Sequence, residues 1–405
     1  MMVLWLLTAW AGTASSLGWT DLPAAVDAAW ASGAGAAWEA RVDGASDARR
    51  AEPLPFQNLQ VQWAPDVRTG SVFGDTQATV QLGVGDRLAS RRAMWSGEGA
   101  LREAQAAVQH QLMTEAVQAT WLDGWLALAL AEHLQEHSDG LALDLDRLRE
   151  AAARGALPRT VVDDLSVELG RLRAESAAEM QRVELARVRL ASLLGVAVDI
   201  APVGIARLEE DVVEVPEGPN PWAGLADHVE SFPQVRLLDA SIAAAQGRAR
   251  ALRWDTPGQI GAGVQVRVAP DGSTYAVPLV IGTVPFGNAS APEARDAAAD
   301  AAALEAERTF AVAQLRATVV AEGAALDAAL ARHAALAAGV EAPMRERLDR
   351  LTAGLGSGAS TVEAVLLARR DLHEAFHARA AALADVLVRR ARGLALLDLV
   401  SKETP

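Results

Sequence analysis

The residues best equipped for chemistry lie near the C-terminus, in the string His373-Glu374-Ala375-Phe376-His377. On a helix this H-E-x-x-H spacing sets two imidazoles one turn apart beside a glutamate, the arrangement that holds zinc and activates a bound water for hydrolysis. A second pair, His133 and His137, repeats the one-turn spacing. Such chemistry also needs a third ligand and a substrate cleft. The surroundings of His373 read differently: Leu372, Phe376, Ala380, Leu383 and Leu387 form the apolar seam of a coiled-coil helix, with His373 and His377 on its shoulder. Both pairs are therefore expected to be exposed helical histidines. The glycine runs GVGDR and GLGSG lack the strand-to-helix setting of a phosphate loop. No set of nucleophile, base and orienting group stands out, so no catalytic residue, metal or cofactor is expected and the chain reads as a non-enzyme.

Composition narrows the partners. The 405-residue chain is 51% hydrophobic, enough for a large core, and carries a formal charge of -15 with Lys402 as its only lysine. A nucleic-acid partner would need clustered Lys and Arg and is not expected. With no cysteine, disulfides, thiolate metal sites and cysteine nucleophiles are excluded. The opening MMVLWLLTAWAGTASSLGWT gives a short apolar run followed by small residues, the pattern of a secretory signal peptide over residues 1–16. No later stretch is long and apolar enough for a membrane-spanning helix, so a span would have to be a β-barrel.

Self-comparison shows two halves. VVDDLSVELGRLRAE at 161–175 and TVEAVLLARRDLHEA at 361–375 share acid, apolar and Arg positions at an offset of 200, and His133 and His333 sit at the same offset. The Pro-rich, acidic stretch 201–222 reads as a linker, giving a first repeat over 17–200, a second over 223–400 and a tail over 401–405. Each half opens with a short helix pattern and then carries two alternating stretches: NLQVQW and TQATVQLGV, then QIGAGVQVRV and TYAVPLVIG. Period-2 alternation predicts strands with one apolar face, with Leu59, Val61, Trp63, Val80, Leu82, Val264 and Val266 on it. In the fourth strand the same reading selects Tyr275, Val277, Leu279 and Ile281, while Pro278 suggests a bulge or an edge. Four strands cannot close a membrane barrel, whose smallest type has about eight, so several chains would have to pool them.

A very long helical pattern follows each strand pair. From about Leu101 to Arg154 there is no proline, and Leu134, Leu141, Leu145 and Leu148 recur at coiled-coil spacing. At 1.5 Å per residue that helix is on the order of 80 Å long. It breaks at ARGALPRT and resumes from about Thr160 to Leu194 with Leu165, Leu169 and Leu172. The second half runs from about Ala291 to Ala353 with a kink at Pro343, breaks at GLGSGAST, and ends in a helix to about Leu397. The fold is expected to be mainly α with a small β part, a duplicated unit of two strands and a long helical hairpin.

Signal peptide, duplicated strand-strand-hairpin order and a small-residue break before an acid-apolar run resemble the TolC-like outer-membrane efflux family, over roughly Trp19 to Val400. The resemblance implies a homotrimer that pools four strands per chain into a twelve-stranded barrel in outer-membrane lipid. A trimeric α-helical barrel continues it as a periplasmic tunnel. It also implies a passive export duct in the outer membrane, with a large periplasmic part, served by a periplasmic adaptor (membrane fusion protein) and an inner-membrane transporter. Val80, Leu82, Val264 and Val266 would face lipid, and Gln60, Gln81 and Arg267 the lumen. Glu363 matches the acidic position at the family's periplasmic entrance, with Asp163 and Asp164 as first-half counterparts, whereas Leu366 stands where some relatives carry a second acid. For Asp163 and Asp164 the competing expectation is helix-start charge that complements the macrodipole. Gly155, Leu157, Gly354, Leu355 and Gly356 would form adaptor-facing hairpin tips. A soluble periplasmic coiled-coil adaptor or scaffold is the alternative function, although such a protein usually carries one hairpin and this chain has two.

Overall fold

The computed structural model describes residues 15–33, 35–37, 40–41, 43–44, 56–66, 71–83, 87–155, 158–202, 204–205, 208, 220–253, 259–268, 273–283, 290–355 and 359–401. Two compact units emerge, and neither is a sequence half: one joins residues 1–35, 110–229 and 315–405, the other 36–109 and 230–314. Each unit takes one portion from each repeat, because the long helices run through both.

The second unit holds the sheet. Strands β2 (Phe56–Asp66), β3 (Ser71–Gly83), β5 (Gln259–Val268) and β6 (Thr274–Thr283) pair antiparallel in the order β2-β3-β5-β6. All four alternating stretches of the sequence are therefore strands, and the two halves meet at β3 and β5. Directly opposed residues share a face. The register Leu59↔Val80, Val61↔Ala78 and Trp63↔Thr76, continued by Ala78↔Val264, Val80↔Ala262 and Leu82↔Ile260, sets the expected apolar positions of three strands on one face. The fourth strand departs from the expectation. Val264 opposes Pro278 and Ala262 opposes Val280, so Tyr275, Val277, Leu279 and Ile281 share the other face with Gly261, Gly263, Gln265 and Arg267. The reason is that β6 is apolar at both parities, which leaves its own periodicity unable to choose a face; pairing to β5 chooses it. Pro278 is tolerated because β6 is an edge strand of this sheet.

Helix α4 (Pro233–Arg253) lies in the same unit. It crosses the start of α2 (Arg87–Ala153) at paired glycines. A Cβ on Gly97 would meet the Ala244 Cα at 2.8 Å, and one on Gly247 the Met94 Cα at 2.8 Å, so only glycine lets the backbones approach this closely.

The first unit is a packed set of helical hairpins. The 67 residues of α2 run to about 100 Å at helical rise, beginning before the Leu101 expected from sequence. Its partner α3 spans Arg159–Leu194. Leu134, Leu141, Leu145 and Leu148 of α2 interlock with Leu165, Leu169 and Leu172 of α3 in one buried cluster, the predicted seam. In the second half α5 (Ala291–Gly339) gives way to α6 (Glu341–Leu355), and α7 spans Val362–Ser401. The break falls where Pro343 has no N–H to offer the preceding turn. Met344, Leu348, Leu351 and Leu355 pack on Val365, Ala368 and Leu372 to close the second hairpin. Short strands β1 (Ser15–Leu17) and β4 (Val198–Ile200) pair in parallel beside α1 (Leu22–Ser32). Trp121 Nε1 donates to the Leu17 carbonyl at 2.8 Å, fixing this end of the chain to α2. Residues 1–14 of the expected leader lie outside the described residues.

Candidate functional site

The hairpin turns build the site. Helix α2 ends at Gly155, whose φ of +73° is the left-handed geometry that glycine adopts at low cost. Leu157 and Gly356 lie outside the described residues. In the second turn Ala359 and Ser360 donate to the Gly354 carbonyl at 3.0 and 3.3 Å, folding the chain back on α6. Leu355 is buried in its own hairpin. Thr361 caps α7: its Oγ1 accepts from the Ala364 N–H at 3.2 Å.

Capping decides how the three acidic positions differ. Glu363 is exposed in the first turn of α7, where it complements the positive end of the helix. Asp163 and Asp164 are also exposed, yet they follow a first turn of α3 that holds no acid. The macrodipole effect falls off within one turn, so the helix-start role expected for Asp163 and Asp164 belongs instead to Glu363.

The histidines also depart from the sequence reading. His133 is only 4% exposed, and its ring stacks on Phe376 with centroids 3.9 Å apart and planes within 2°. Its centroid lies 4.3 Å from His137 and 5.6 Å from His373. His137 and His373 are half-buried, and only His377 keeps the expected exposure. Hairpin packing buries the shoulder of α7 against α2, a contact between chain segments about 240 residues apart that periodicity within α7 cannot reveal. Among the described residues no group of three or more His, Asp or Glu is arranged to hold a metal ion. Burial, reinforced by His137, His373 and Arg345, pushes His133 down to about 3; burial with Arg369, His373 and Arg345 pushes His137 down to about 4.

One buried contact was missed by sequence reasoning altogether. Arg369 on α7, with its side chain 8% exposed, donates Nη2 to Asp144 on α2 at 2.9 Å and Nη1 to the His137 carbonyl at 3.4 Å. Burial holds the Arg369 guanidinium below its ordinary pKa, with Asp144 and Glu168 acting in the opposite direction. An arginine directly after an alanine of the apolar seam was the available signal. A cavity of about 660 Å³ opens beside this pair, lined by His137, Asp144, Arg147, Asp349, Leu355 and Arg369 among others.

No family model and no curated protein matches the chain. Solved structures do. The outer membrane protein VceC of Vibrio cholerae aligns with a TM-score of 0.71 at 14% identity, covering 94% of this chain and 96% of that one. The outer-membrane channel OprN gives 0.72 at 15% identity over 94% and 89%. The MtrE outer membrane channel of Neisseria gonorrhoeae, in its open state, gives 0.64 at 17% identity over 95% and 91%. At these identities the likeness is one of fold: the chain has the mainly helical, strand-poor fold of these channels, as the resemblance in its sequence implied.

Proposed function

We propose that the chain is one subunit of an outer-membrane export duct. Three copies pool their strands into a twelve-stranded barrel and their hairpins into a periplasmic tunnel. The observation that carries this reading is the four-stranded sheet: in β2, β3 and β5 one face carries Leu, Val, Ile and Trp and the other is rich in Gln, Thr and Gly, while β6 is apolar at both parities, with β2 and β6 at the sheet's edges. A membrane barrel needs lipid on one face and water on the other, which strands alternating in this way supply. Further support comes from large apolar side chains that one chain leaves in water, among them Val167 at 74%, Phe310 at 70% and Val320 at 65% exposure, which neighbouring copies would cover.

In this reading Val80, Leu82, Val264 and Val266 face lipid. The turns carrying Gly155, Leu157, Gly354, Leu355 and Gly356 meet a periplasmic adaptor that delivers cargo from an inner-membrane transporter. Glu363 rings the entrance, with Asp163 and Asp164 on the companion hairpin. Cargo passes without chemical change. A periplasmic adaptor is disfavoured because the alignment with outer-membrane channels runs through both hairpins and the sheet. Fractionation tests the choice: trimers that leave the outer membrane only with detergent and conduct in planar bilayers support the duct. Release of the mature protein by osmotic shock would refute it.

A further inference from the structure

The surface between α2 and α7 joins the two hairpins, and it is built from groups that change charge in mild acid. His133 and His137 stand one turn apart on α2, and His133 packs between Phe376 and His373 of α7. The His133 Nε2 and the His373 Nδ1 are buried with no hydrogen-bond partner among the described residues. Neither atom has a carboxylate or carbonyl to share a proton with, so the stack is a contact between neutral rings. One turn nearer the hairpin ends, the Arg369–Asp144 pair completes the interface.

The charges facing the cluster decide what protonation would do. His133 faces His137, His373 and Arg345 of α6, and His137 faces Arg369, His373 and Arg345, so both have only basic groups as their main electrostatic neighbours. On α2 itself Glu132 and Glu136 are exposed one and three residues from His133, and partial desolvation of Glu132, reinforced by the neighbouring Glu136, raises its pKa. His373 differs: Glu175 of α3 and Glu374 of α7 oppose Arg171 and His377, so a proton there is partly compensated although burial still lowers its pKa. A proton arriving on His133 or His137 would enter a buried site that faces Arg345, and for His137 also Arg369, with the neighbouring imidazoles repelling it once they too are charged. Water is the only place where that charge is stabilised, and reaching it requires the helices to part.

We propose that His133, His137 and His373 form an acid-released latch between the two hairpins: neutral rings hold α2 against α7, and protonation of His133 and His137 separates them. The latch is a property of contacts within one chain and stands apart from the duct reading. In the closed state both rings stay neutral until the pH approaches about 4 and 3, whereas a hydrated ring takes up its proton near the ordinary value of 6.5. Between those limits each pH unit of acidification favours the parted state about tenfold per ring, or roughly thirtyfold per ring at pH 5 relative to neutral pH.

The natural chain has no cysteine, so two labels can be placed without background. Leu143→Cys on α2 and Leu367→Cys on α7, both exposed, carry spin labels in the full-length protein, and pulsed electron paramagnetic resonance reads their separation from pH 7.5 to 4.5. A longer distance that grows reversibly below pH 6.5, and is absent in His133→Phe/His137→Gln with an unchanged separation at pH 7.5, supports the latch. No longer distance at pH 4.5 overturns it. The same acid response in the double variant also overturns it, assigning the effect to carboxylates such as Asp144, Glu168 or Glu175. Should the double variant lose its neutral-pH structure, Arg345→Gln decides: with one facing cation gone, release should need a lower pH, and an unchanged or higher midpoint refutes the electrostatic argument. Loss of conduction in bilayers would bear on the duct reading and leave these distances untouched.

Discussion

Replacing Asp144 by Asn removes the carboxylate hydrogen-bonded to Arg369 and leaves the guanidinium buried beside α2. The pair lies at 2.9 Å with side-chain exposures of 8% for Arg369 and 22% for Asp144. Breaking a fully buried pair from one side costs about 3 to 5 kcal/mol, because the surviving charge stays uncompensated. Partial access of water to Asp144 and the retained bond to the His137 carbonyl reduce that to about 2 kcal/mol. Arg370–Glu374, one residue along the same helix, provides the scale: at 67% and 63% exposure, Glu374→Gln should cost about 0.3 to 0.5 kcal/mol. Native-state hydrogen exchange of α7 amides reads both changes as local opening, which avoids assuming that the whole assembly unfolds in two states. Exchange around residues 365–380 should accelerate about thirtyfold in Asp144→Asn and no more than about twofold in Glu374→Gln. The apolar double replacement Asp144→Leu/Arg369→Met should recover most of the protection, since a packed apolar pair carries no desolvation cost. Equal acceleration in Asp144→Asn and Glu374→Gln would show that the pair is no more than a solvated surface contact.

Three further outcomes are expected. Stability contributed by neutral His133 and His137 is fully present above pH 6.5 and lost as the pH falls toward their lowered values of about 4 and 3, at about 2 kcal/mol per ring by pH 5; urea midpoints that stay flat from pH 7.5 to 5 would contradict this. Val264→Arg should cost about 2 to 4 kcal/mol in a bilayer if its position lies near the midplane, whereas Gln81→Arg on the opposite face should be mild; equal tolerance, read from folding yield in lipid vesicles, would remove these strands from the membrane. Glu363→Gln should weaken block of single-channel conductance by divalent or trivalent cations added on the periplasmic side and cost α7 up to about 1 kcal/mol, while Asp163→Asn, beyond the first turn of its helix, should leave stability unchanged.

Much of the fold was legible because its local signals are periodic. The spacing of Leu134, Leu141, Leu145 and Leu148 against Leu165, Leu169 and Leu172 determined a long hairpin and its seam, since only a helix brings those positions onto one stripe. Alternation located all four strands to within a few residues at most ends, since a pleated strand with one apolar face has period two. Repetition of the order at one offset then carried the resemblance to a fold that the solved structures share. What the sequence could not decide were relations between segments far apart in the chain. The face of β6 depended on its register with β5, because Ala276, Pro278 and Val280 are as compatible with an apolar face as Tyr275, Val277 and Leu279. The setting of His133 and Arg369 depended on α2 meeting α7, a packing that turns residues on the flank of one helical stripe into the buried centre of an interface between two hairpins. Periodicity fixes which residues share a side of one element, and only the tertiary structure fixes which element lies against that side.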